Sequence, residues 1–124
     1  MIIKRDEAFK AVCELVTPVD GNKVDVGTGM FVSSPAGDGK AYVWIVTASH
    51  VAKGTNQNTR IVIATADGKA QWLPLSLFGL QYYWRHHPVA DVSAFQIHIT
   101  PANEPFLSDR FFPYDHLNLE HTPV

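Results

Sequence analysis

Cys13 is the chain's one cysteine, so no internal disulfide can staple the fold, which must hold through its own core. A lone cysteine favours a reducing, cytoplasmic setting and leaves the localisation open. Long apolar runs are missing too. No stretch approaches the roughly 20 residues that span a bilayer, and no membrane partner is expected. The opening Met1-Ile2-Ile3-Lys4-Arg5-Asp6-Glu7 has no apolar h-region, so no secretory signal is expected of it. Charge excess is absent as well: ten Lys and Arg stand against 12 Asp and Glu, for a formal net charge of −2. The basic residues are scattered without a patch or an interleaved aromatic, and no nucleic acid partner is expected.

What is present is an ordinary globular balance. Over 124 residues, 46% are hydrophobic and 18% charged, enough apolar material for one domain with one core. Phe9 to Val16 reads as a short helix or a strand, and Pro18 with Asp20-Gly21-Asn22 as a turn. Val24 to Ser33 reads as a strand whose Gly27 and Gly29 mark a bulge or a close backbone approach. Pro35-Ala36-Gly37-Asp38-Gly39 reads as a hairpin loop, and Tyr42 to Thr47 as a strand buried on both faces. After a polar loop at Lys53 to Asn58, Arg60 to Thr65 reads as a strand closed by an Asp67-Gly68 turn. Ala70 to Phe78 is strand-like but interrupted by Pro74, which marks an edge or a bulge. Asp91 to Ile99 alternates as a strand. About six short strands with turns between them make a small all-β barrel or sandwich. From Thr100 the chain turns Pro-rich, with Pro101, Pro105, Pro113 and Pro123.

Two residues stand out chemically. His50 is delivered at the end of an apolar strand through the small Ala48 and Ser49, which leave room around an imidazole. Asp91 opens a later strand, far enough downstream to return across a barrel and reach Nδ1 of His50. A carboxylate there fixes the ring tautomer and stabilises the imidazolium formed when a nucleophile loses its proton. Taken singly, each residue has a blander reading, as a structural histidine and a solvated strand-start aspartate.

The motifs around them resemble the first half of the trypsin-like (chymotrypsin-fold) serine peptidases, over residues of about 9 to 99. The resemblance rests on Gly27-Thr28-Gly29-Met30-Phe31-Val32, then Thr47-Ala48-Ser49-His50, then Asp91-Val92-Ser93-Ala94, in the family's order and strand context. It implies an all-β fold: a six-stranded antiparallel Greek-key-type barrel over residues 1–99, the first of a chymotrypsin-like double barrel. Residues 100–124 would then be an extension or linker toward a second barrel. His50 becomes the general base and Asp91 its orienting acid. Ser93 takes the place of the small residue that packs or hydrogen-bonds beside that aspartate. No cofactor is implied, and the partner is a polypeptide substrate once a second barrel completes the site. An exposed half-cleft would favour self-association, or residues 100–124 folding back over it.

The departures are informative. Val51 follows the histidine where many members carry a disulfide cysteine, and Ser49 replaces a frequent alanine. More important, no Gly-Asp-Ser-Gly-Gly-like segment is found. None of Ser33, Ser34, Ser49, Ser76, Ser93 or Ser108 has the glycine setting of the family's nucleophile, so the oxyanion hole beside it is missing too. Isolated, the chain is expected to be inactive. Cys13, in an early apolar segment, reads as a small buried hydrophobe and not as a substitute nucleophile. A non-catalytic pseudopeptidase or protein-binding barrel is the alternative class.

Three further constellations carry weaker readings. His86 and His87 with Asp91 or His98, and His116 with His121 and Asp115, invite a metal. Adjacent histidines on a strand point to opposite faces, however, so solvated or turn histidines are the expectation. Trp72, Phe78, Tyr82, Tyr83 and Trp84 could stack a ligand, but such residues more often plug a core or face a partner. Gly27-Thr28-Gly29 lacks the helix and lysine of a phosphate loop.

Overall fold

The computed structural model describes residues 10–65, 67–79, 84–108 and 110–113. The first three strands are β1 (Val12–Pro18), β2 (Val24–Gly37) and β3 (Lys40–Thr47). The β2–β3 hairpin turns at Asp38 and Gly39, both at positive φ, which is where short polar residues and glycine are tolerated. Helix α1 (Ser49–Lys53) follows, then β4 (Arg60–Ala64) and β5 (Ala70–Pro74). A 3-10 helix (Leu75–Leu77) leads on to β6 (Trp84–His86) and β7 (Ser93–Gln96). Helix α2 (Glu104–Leu107) and β8 (Phe112–Pro113) complete the described chain. The fold is mostly β.

Seven strands run antiparallel in the order β5-β4-β1-β2-β3-β7-β6, and β8 adds in parallel to β2. Register explains the core. Leu73 pairs Ile61 and Ile61 pairs Leu15, while Phe31 pairs Ile45, Ile45 pairs Phe95 and Phe95 pairs Trp84. All of them point to one face and join a single buried cluster that Phe78 and Leu75 also enter. Each fully buried Phe or Leu contributes about 1.5–3 kcal/mol of apolar burial.

The expected six-stranded barrel is corrected in two respects. Seven strands lie along the path, and β5 and β6 at its ends do not pair among the described residues, so the sheet is not a closed barrel. Pro74 has no N–H to donate, and the chain passes at once into the 3-10 helix, which ends the β5 ladder. The chain after β5 is tied instead to the chain after β7: His98 N–H donates to the Phe78 carbonyl at 3.0 Å. The fully buried Asn103 side chain donates to the carbonyls of Leu77 at 2.9 Å and His98 at 2.7 Å.

The expectation that Tyr42 to Thr47 is buried on both faces is also corrected. Val43 and Ile45 are buried, whereas Trp44 and Val46 are half-buried and Tyr42 is exposed. An antiparallel sheet needs only one covered face. Past residue 100 the chain packs on the sheet: Leu107 is buried, Phe106 and Phe111 rest on the core, and Phe111 meets Phe31 edge-on at 5.7 Å.

Candidate active site

The register between β3 and β7 places the site. Thr47 pairs with Ser93, so the residues just past the end of β3 come beside those just before the start of β7. Thr47 Oγ1 donates to the Thr28 carbonyl at 2.7 Å, tying that end to β2. Ala48 is extended, and its carbonyl accepts the N–H groups of Val51 and Ala52 at 3.0 Å each, which starts α1 and sets His50 in its first turn. Gly27 is the floor under this helix. A Cβ there would lie 2.4 Å from Val51 Cγ1, so the close approach expected of this glycine is made by the residue after His50.

Asp91 sits in the loop of the β6–β7 hairpin, two residues before β7, and not at the start of a strand as the alternation implied. His50 Nδ1 and Asp91 Oδ2 are 2.7 Å apart, and the His50 backbone N–H donates to Asp91 Oδ1 at 3.0 Å. The His50 side-chain bond, then its backbone N–H, hold the Asp91 carboxyl below the usual aspartate range. An ionised carboxylate only accepts, so Nδ1 carries a proton, and in the neutral ring the lone pair falls on Nε2. The two side chains are 75% and 57% exposed, which leaves the ring open to an incoming group. This is the arrangement of a general base with its orienter.

Behind the pair lies a polar string that the sequence reading missed. Ser49 and Ser93, both buried, share a hydrogen bond at 2.8 Å, and Ser93 Oγ also bonds His86 Nδ1. The Ser93 hydroxyl is thus engaged by Ser49 and His86, not by Asp91. The only sequence signal was a serine at each of two positions flanking the histidine and the aspartate. A cleft of about 260 Å³ opens beside His50, lined among others by Thr17, Asp25, Val26, Gly27 and Val51. A larger groove of about 460 Å³ crosses β1, β4 and β5 beside exposed Trp72 and includes neither His50 nor Asp91.

Among the described residues no three His, Cys, Asp or Glu side chains converge on a metal position. His86 bonds Ser93, and His87 Nδ1 accepts the N–H groups of Val89 and Ala90. Asp115, His116 and His121 lie outside the described residues, as do Tyr82 and Tyr83. Of the other aromatics, Phe78 is buried in the core, and Trp84 is buried edge-on to Phe95 at 5.2 Å. Gly27-Thr28-Gly29 lies within β2 and opens no helix. Burial pushes the Cys13 thiol up to about 12, which keeps it protonated at neutral pH.

No protein-family model, curated protein or solved structure matches the chain.

Proposed function

We propose that this chain is the histidine- and aspartate-bearing half of a trypsin-like serine endopeptidase. The observation that carries the reading is the grip of both Asp91 oxygens on His50, whose ring is otherwise largely exposed. In the proposed mechanism a serine hydroxyl from a second barrel is placed at Nε2. His50 takes its proton as the oxygen attacks a peptide carbonyl, then returns it to the leaving amine. Asp91 keeps the ring oriented and stabilises the imidazolium between the two transfers. The oxyanion hole and the specificity pocket come with the serine.

The strand order also supports a barrel ancestry. The two end strands of the sheet, β5 and β6, are consecutive in the chain, and one continuous core lies against every strand from β1 to β7. In the proposed reading the sheet is an open relative of a barrel, with its ends left unpaired at β5 and β6. Exposed Val89 and Val92 flank Asp91 and give the rim an apolar character suited to a second barrel or a second copy.

The test is labelling by a serine-directed fluorophosphonate, applied to this chain and to the longest natural product of its gene. Labelling of the longer product alone, abolished by His50→Ala, is the expected result. A folded longer product that resists the probe overturns the peptidase reading in favour of a binding module.

A further inference from the structure

We propose that His87 is a positioning residue for Asp91, closing the loop that presents it while the ring is neutral and releasing it on protonation. The inference rests on the reading of His50 and Asp91 as base and orienter. His87 Nδ1 accepts the backbone N–H groups of Val89 at 3.1 Å and Ala90 at 2.8 Å. Nδ1 is bonded to Cγ, as Oδ1 is in asparagine, and acceptance from the second and third following amides is the pattern of an Asx-type turn. The His87 backbone takes part as well: its N–H donates to the Val92 carbonyl at 2.9 Å, and Val92 N–H donates to the Ala90 carbonyl at 2.9 Å. Asp91 is therefore held between two residues, Ala90 and Val92, that are both tied to His87.

A ring nitrogen accepts only when it bears no proton, so this geometry places the His87 proton on Nε2. Protonation at Nδ1 turns the acceptor into a donor facing two donors, and the loop closure is lost. The titratable and charged groups on the neighbouring elements are Arg85 and His86 on β6, Asp91 in the loop, and His50 and Lys53 on α1. His86 is bonded to Ser93, and both Asp91 oxygens are bonded to His50. Among the described residues, no carboxylate pairs with His87 to hold a proton on Nδ1.

Two variants separate the roles. His87→Asn keeps an acceptor at the same place but does not titrate, and His87→Ala removes it. The readouts are the hydrogen-exchange protection factor of the His50 amide, which donates to Asp91, and the long-range 1H–15N signal of His50 Nδ1–H. Both are taken at about pH 8 and about pH 5. In the wild-type chain, His50 protection is expected to fall roughly tenfold on acidification, the equivalent of about one to two hydrogen bonds. His87→Asn should keep it at both values, and His87→Ala should lack it at both. Equal pH responses in the wild type and His87→Asn, or full protection in His87→Ala, would overturn the proposal. These signals are read without any peptidase activity, so a negative fluorophosphonate result leaves this test separate.

Discussion

Gly27 and Val51 compete for one volume: a Cβ on Gly27 would lie 2.4 Å from Val51 Cγ1 and 2.6 Å from Cγ2. Val51 is β-branched and stiff about χ1, so it cannot swing clear, and the strain passes to α1 and to His50 beside it. Gly27→Ala is expected to destabilise the chain by about 1–3 kcal/mol and to weaken the His50 Nδ1–H signal. Adding Val51→Ala should restore both. Chemical denaturation with NMR of the histidine ring checks this, and a silent Gly27→Ala would show that α1 has room to move.

The second prediction concerns the carboxylate. Asp91 is held below the usual aspartate range by His50, so it stays ionised where an ordinary aspartate, near about 3.9, is already half protonated. A lowered carboxyl contributes stability that is present above its unfolded pKa and is lost as pH falls through the folded value. A carboxyl 13C titration of Asp91 should give a midpoint below that of ordinary aspartates, and His50→Ala should raise it. Asp91→Asn reverses the sense of the bond, since an amide N–H can donate to Nδ1 and leave the ring proton on Nε2. In a completed peptidase that exchange should cost roughly 10⁴ in kcat.

Much of this was legible residue by residue, and the gaps have physical causes. His50 and Asp91 could be paired because a strand-end histidine and a later aspartate are signalled by local residue types. Pro74 marks an edge, where β5 indeed lies, because a missing N–H is a property of the residue itself. The helix carrying His50 was not visible, because Ser49–Lys53 has five residues and shows no period. Val92, Ala94 and Phe95 make Asp91 look like a strand residue, whereas the loop bonds that hold it off the strand come from His87 and Val92. The Ser49–Ser93–His86 string depends on the Thr47–Ser93 register, which no single segment encodes.

Cys13 gives the third prediction. Burial pushes its thiol from an ordinary 9.0 up to about 12. The folded state thus keeps a proton that the unfolded chain loses, and stability present below about 9.0 declines as pH rises toward about 12. Relative to Cys13→Ala, the wild-type chain should lose about 1.4 kcal/mol of stability per pH unit across that window. Urea unfolding of both proteins at a series of alkaline pH values measures the difference. Parallel curves would mean that the thiol is reached by water in the folded chain.

Asn103 gives the last. Its side chain is fully buried and fully used: Nδ2 donates to the carbonyls of Leu77 and His98, and Oδ1 accepts the Thr100 N–H at 2.9 Å. Those bonds join the 3-10 helix after β5 to the chain leaving β7. Asn103→Ala leaves the Leu77 and His98 carbonyls and the Thr100 N–H without their side-chain partner, at a cost of about 1–3 kcal/mol. Asn103→Asp should be worse at neutral pH, because an ionised carboxylate faces two carbonyl oxygens with no proton to offer. That variant should recover part of its stability in mild acid, where a protonated carboxyl can donate one bond. If instead both variants unfold like the wild type, the sheet ends are held together by Phe78 and Leu107 packing alone. Amide exchange at His98, whose N–H donates to Phe78, would then stay slow in each of them.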